Sequence, residues 1–123
     1  MMNLLSSSGP EAGCVAPHGG RKDIYTPNPI AAVWPTGGYP VMLDVSMSII
    51  THLLTRRLHA ANKKLPGQWV IDARGNASDD PAVLFADPPG ALLPIGGLDH
   101  GHKGYALGSW SQTLGVKAPP ALA

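Results

Sequence analysis

The chain predicts an α/β fold in one loop-rich domain, on three observations. Two short apolar runs, "IAAVW" (30–34) and "VMLDV" (41–45), flank the turn-forming "PTGGYP"; residues 46–64 carry helical spacing; and 15 glycines with 13 prolines punctuate 123 residues. That glycine and proline usage is about twice the average, yet a hydrophobic content of 44% still supplies a core. The length suits one domain rather than two.

Element by element, residues 1–29 read as irregular, because "SSSGPEAG", "APHGGRK" and "TPNP" interrupt any continuous helix or central strand. Residues 30–34 and 41–45 are expected to pair as a hairpin. "SMSIITHLLTRRLHAANKK" is the strongest helix, with Ser46 or Ser48 as N-cap and Ile50, Leu53, Leu54 and Leu58 on one stripe. Arg56, Arg57, Lys63 and Lys64 fall late, where cations suit the helix dipole, and "LPGQ" ends it. Trp69 to Ile71 is strand-like and is followed by a turn at Gly75-Asn76. "DDPAVLFA" predicts a short helix with an aspartate cap and Pro81 at its first position. "ALLPIGG" is extended. From His102 the chain is weakly helical: Leu107, Trp110 and Leu114 share a face, with Gly104 and Gly108 working against the helix. "VKAPPALA" reads as a frayed tail.

Nine basic and eight acidic residues leave +1, which offers no general field for nucleic acid or a membrane surface. Cys14 is alone, so no intrachain disulfide forms. "MMNLLSSSGP" lacks the basic n-region of a signal peptide, and no apolar run reaches a membrane span. A cytoplasmic protein is expected.

The densest chemistry lies in "GGLDHGHKGYALG" (96–108). Asp99, His100 and His102 could ligate a metal, but structural zinc takes four protein ligands and catalytic zinc usually three. On a strand the two histidines would face opposite ways, and His18, His52 and His59 stand at no recognised spacing. The other reading is an anion site: glycines let backbone N–H groups approach a phosphate, and Lys103 supplies a cation. On composition alone, a plain glycine-rich loop with a surface lysine is the commoner outcome. Asp44 sits at an expected strand-to-helix junction, where an acid can accept ribose hydroxyls and Ser46 can face a pyrophosphate; alternatively it caps the helix. There is no G-x-G-x-x-G fingerprint at this junction, which argues against a Rossmann site. Arg21 and Lys22 read as a solvated pair. No nucleophile elbow or carboxylate pair is present for catalysis.

The ordered motifs "VAPHGGRK", "NPIAAVWPTGG", "VMLDVSMS", "LPGQWVIDARGNASDDP", "ALLPIGG" and "GHKGYALG" resemble the malate/L-lactate dehydrogenase family that includes ureidoglycolate and sulfolactate dehydrogenases. The resemblance covers about residues 14–108. It implies NAD(P)-dependent interconversion of 2-hydroxy and 2-keto acids, or reduction of related cyclic imines, in a cytoplasmic homodimer. The implied cofactor domain is a non-Rossmann α/β domain with a largely antiparallel sheet. Asp44, Val45 and Ser46 match the family's "DMA" cofactor segment, and Lys103 matches its cofactor-binding lysine. NAD and NADP both remain open, as does the substrate.

The departures divide the chain into an irregular segment (1–13), a partial NAD(P)-binding domain (14–108) and a divergent tail (109–123). The family's catalytic histidine lies before "VAPHGG", in a segment of which this chain carries only about a dozen residues, so no catalytic residue is assigned. "TPNP" replaces "GTNP", "THLL" stands where many relatives have a small residue, and "SWSQTLGVKAPPALA" replaces a long apolar helix. A fragment with an incomplete sheet, uncovered apolar faces and marginal stability is expected. The other readings are a non-catalytic remnant or interaction module, and a metal-binding module.

Overall fold

A computed structural model describes residues 1–9 and 13–115, and these form two small antiparallel sheets with three α-helices and a 3-10 turn packed beside them. The first sheet has the order β1-β2-β3, with β1 at Asn3–Ser6, β2 at Ile30–Trp34 and β3 at Val41–Val45. The expected hairpin is there: Ile30 pairs with Val45 and Trp34 with Val41. Thr36 closes its turn by donating to the Tyr39 carbonyl (2.7 Å) while its Oγ1 accepts from the Gly38 amide (3.0 Å). The expectation of irregular chain up to residue 29 misses β1, which pairs along β2 from Asn3↔Val33 to Ser6↔Ile30. "NLLS" has little strand signature of its own; the free edge of β2 recruits it.

The second sheet has the order β5-β4-β6, with β4 at Val70–Ile71, β5 at Ala77–Ser78 and β6 at Ala91–Leu92. Val70 pairs with Leu92 and Ile71 with Ala91, so each pair points to one side of the sheet. Val70 and Leu92 join Val15, Met47, Ile50 and Leu65 in one core cluster, while Ile71 and Ala91 join Ala16 and Leu93 in another. The expected short helix after the Gly75 turn is a 3-10 turn, Pro81–Phe85, capped by Asp80, whose carboxylate accepts from the Ala82 amide.

The first helix, α1, runs from His52 to Ala60 with Thr51 as its cap, not Ser46 or Ser48. Residues 47–49 are held out of the helix by longer-range partners. Met47 donates to Pro27 (2.8 Å), Ile49 donates to Leu93 (3.0 Å), and Ser48 bridges Pro94. These bonds outbid local helix formation. The expected apolar stripe is split: Ile50 lies in the core and Leu58 packs against it, but Leu53 and Leu54 are exposed, and the buried residue of α1 is Thr55.

After α2 (Gly97–His100), the chain enters α3 (His102–Gly115). Its packing inverts the sequence reading. Trp110 and Leu114 are exposed, whereas Gly104, Gly108 and Ser111 form the buried face. A side chain at Gly108 would collide with Met47, and one at Gly104 with the backbone of Ile95 and Met47. The two glycines thus let a helix lie directly on a strand-like segment. The segment "VKAPPALA" falls outside the described residues.

Candidate functional site

Asp44 is exposed on β3, an edge strand, and pairs with Ala31. It lines an apolar trough of about 320 Å³ with Leu5, Ala32 and Met42. Val45 and Ser46 are half-buried, and the Ser46 and Ser48 hydroxyls lie 3.2 Å apart. Because α1 begins only after Thr51, Asp44 caps no helix and Ser46 sits at no helix N-terminus. The expected strand-to-helix junction is displaced along the chain by backbone pairing.

Lys103 lies in the first turn of α3 and is exposed. Among the described residues the ion pairs are those of Lys64 with Asp79 and Asp80, so no carboxylate lies within 4 Å of the Lys103 ammonium. The glycines beside it serve packing. A side chain at Gly101 would meet the Gly97 carbonyl, Pro94 and the His18 ring; Gly104 and Gly108 abut the Met47 segment. The two segments singled out from sequence are nonetheless joined. The Ile95 amide donates to Met47, next to Ser46, at 2.7 Å, and the Ile95 carbonyl accepts from Gly104, next to Lys103, at 3.2 Å. Two backbone bonds through one residue thus tie the Asp44–Ser46 segment to the Lys103 turn.

The five histidines divide into two groups. The His18 and His102 rings are 5.6 Å apart and those of His100 and His102 6.3 Å, whereas His52 and His59 pack on Phe85. His100 closes α2 and His102 opens α3, so the strand geometry assumed for them does not hold. Among the described residues no group of three or more His, Cys, Asp or Glu side chains could hold a metal ion.

Sequence reasoning missed the residue that ties the 26–28 segment to α3. Asn28 is fully buried with φ of 45°, a conformation asparagine tolerates better than most residues. Its Nδ2 donates to the Gly108 carbonyl (3.0 Å) and the Gln112 amide oxygen (3.2 Å), and its Oδ1 accepts from Thr26 (2.7 Å). "TPNP" is therefore bolted to the face of α3. Tyr25 adds to this: its hydroxyl donates to that of Tyr105 at 3.4 Å, the rings meet edge to face, and burial, then the Tyr105 bond, raises its pKa. Burial, with Asp23 adding to it, also pushes the Cys14 thiol upward, which favours its protonated form. The one available signal was the asparagine in "TPNP", a residue suited to left-handed backbone.

Comparison with known proteins gives a consistent result. The sequence profile of the family described as malate/L-lactate dehydrogenase matches residues 1–116. An L-lactate dehydrogenase of Cupriavidus necator is 40% identical over 105 residues, which is 84% of this chain and 29% of that protein. A Delta(1)-pyrroline-2-carboxylate reductase of Burkholderia multivorans is 38% identical over 108 residues, or 86% of this chain and 29% of that protein. Among solved structures, the delta1-piperideine-2-carboxylate reductase of Pseudomonas syringae pv. tomato superposes with a TM-score of 0.72 at 32% identity, over 92% of this chain and 31% of that one. The chain thus spans a little under a third of the length of the relatives it matches. With a family profile running across nearly all of its residues and the same backbone arrangement in a solved relative, this chain belongs to the malate/L-lactate dehydrogenase family.

Proposed function

We propose that this chain is the nicotinamide-binding part of an NAD(P)-dependent oxidoreductase that interconverts 2-hydroxy and 2-keto acids or reduces a related cyclic imine. The observation that carries the reading is the backbone tie through Ile95, which links the Asp44–Ser46 segment to the turn bearing Lys103. The donor set fits the cofactor. Asp44 offers an exposed carboxylate to ribose hydroxyls, Ser46 a hydroxyl to the adjoining phosphate, and Lys103 an ammonium free of a carboxylate partner among the described residues. The glycines around Lys103 add no cradle, since protein atoms fill the space beside them. When bound, the nicotinamide would give or accept the hydride. In this reading residues 14–108 belong to a larger, non-Rossmann cofactor domain, 109–123 form its divergent continuation, and the complete enzyme is a cytoplasmic homodimer. The acid–base histidine is assigned to no residue of this chain.

Titration of the full chain with NADH and with NADPH, followed by nicotinamide fluorescence, tests this. Saturable binding weakened about tenfold in Lys103→Ala supports it, as expected for the loss of one charge-assisted phosphate contact. Asp44→Asn separates the two cofactors, because loss of the ribose acceptor weakens NADH more than NADPH. A folded chain with no saturable response points instead to a non-catalytic remnant or interaction module. Zinc uptake lost on replacing His100 and His102 points to a metal-binding module.

A further inference from the structure

The loop "HGGR" and the turn "ARGN" face each other across a cavity of about 280 Å³. Its floor is apolar: Ile71 is 1% exposed and Leu93 4%, with Pro94 buried beside them. Its charged lining residues are Arg21 and Arg74, with His18 at the rim, and no carboxylate lines it. Among the described residues neither guanidinium has a carboxylate within 4 Å.

Both arginines are carried on ordered turns. The Gly20 amide donates to Pro17 at 2.9 Å, and Gly19 takes φ of 77°, which reverses the first loop. In the second, one Asp72 oxygen accepts the amides of Arg74 (2.8 Å) and Asn76 (2.9 Å), and the other accepts the Asn76 side chain (2.9 Å). The nearest sequence-local acid is thereby committed to its own turn. Gly75, with φ of 92°, couples the two loops: the Arg21 stem lies across it, close enough that an added Cβ would stand 3.1 Å from Arg21 Cδ. Asp23 lines an adjoining cavity that shares Gly19, Gly20 and Arg21 with this one, but it does not line this one.

We propose that this cavity binds a small dianion, a phosphate group or a dicarboxylate, through the Arg21 and Arg74 guanidiniums. Guanidinium forks match planar or tetrahedral oxyanions, and an apolar floor strengthens such contacts relative to open water. The volume admits one such group and its immediate substituent, and is too small for a whole dinucleotide. Asp44 and Lys103 do not line it, although its lining residue His18 packs on His102, next to Lys103.

The test is a titration of the full chain with inorganic phosphate at constant ionic strength, read by backbone amide chemical shifts. Saturable shifts are expected at Gly19, Gly20, Arg74 and Gly75. Arg21→Gln and Arg74→Gln should each weaken binding about tenfold while leaving the spectrum folded, since both side chains are exposed. Lys103→Ala should leave phosphate binding unchanged even where it weakens nicotinamide binding about tenfold, which keeps the two proposals separable. Malonate shifting the same amides identifies free dicarboxylate as a ligand source; adenosine monophosphate binding more tightly than phosphate identifies a nucleotide phosphate. Shifts that never saturate, or that persist unchanged in the Arg21→Gln, Arg74→Gln double variant, overturn the assignment.

Discussion

In the β5-β4-β6 sheet the strands are two residues long and both faces are covered, with Val70, Ala91 and Leu92 at 0% exposure and Ile71 at 1%. In the β1-β2-β3 sheet the strands are twice as long and better paired, yet Leu5 stands at 72% exposure, Met42 at 75% and Leu43 at 45%. Hydrogen-bond laddering and burial are thus separated within one chain. The short strands hold the core because Val15, Met47 and the loop at Leu65 cover them from outside. The long strands are held by backbone pairing and by Ser6, whose hydroxyl donates to the Ser111 carbonyl at 3.1 Å. Net hydrogen-bond stabilisation is small beside the burial of apolar area, so the two sheets should differ sharply in sensitivity to truncation.

The largest expected contrast is between two leucines. Leu92→Ala should lower stability by about 3 kcal/mol, as a cavity in a closed core, while Leu43→Ala should change it by less than about 0.5 kcal/mol. Urea denaturation of both variants checks this, and equal losses would mean that the exposed sheet is covered in solution. Next, Gly108→Val should cost about 2 kcal/mol by driving α3 off Met47, whereas Gly38→Ala, which meets no atom, should be near neutral. Asn28→Ala should cost about 2 kcal/mol, because it leaves the buried Gly108 carbonyl without its partner and puts alanine at a positive φ. If it proves harmless, the tie between "TPNP" and α3 is not what orients that helix.

A smaller effect concerns association. Leu5→Ser with Met42→Ser should reduce self-association in sedimentation velocity, with little change in the urea midpoint. The smallest effect is acidic. Bonds from the Asn76 side chain and amide hold Asp72 below the usual carboxylate range, and the Ala82 amide, then Lys64, does the same for Asp80. A folded pKa below the unfolded one adds stability at pH above the unfolded value, and that stability is lost as pH falls through the folded value. The urea midpoint should therefore decline on acidification, and less steeply in Asp72→Asn and Asp80→Asn. Both groups are only partly buried, so the change should be slight.

The hairpin, the Asp80 cap before Pro81, the strand at Val70 and the helix after His102 were all legible, since each rests on neighbours a few residues apart. Of the site, Asp44, Ser46 and Lys103 stood out by their chemistry, Val45 came from the family resemblance alone, and the binding roles of all four are proposals. Their immediate surroundings were not legible. The start of α1 was misplaced because Pro27, Leu93 and Ile95 claim the backbone of residues 47–49. Asn28 was passed over because nothing local reveals that its amide reaches residues 80 and 84 positions away.

The amino-acid order by itself determined most of the turns, strands and helices, β1 and the start of α1 excepted, because capping, turn chemistry and side-chain period act over a few residues. It also set the near-neutral charge that confines electrostatic recognition to local clusters. Only the tertiary structure decided which faces are inside. On α3 the apolar face with Trp110 lies outward and the glycine face inward, because the surface it meets is backbone at Met47 and Ile95, where only a missing side chain lets the helix approach. The same closure brings Arg21 across Gly75 to face Arg74, a pairing of cations set by where two distant turns come to rest.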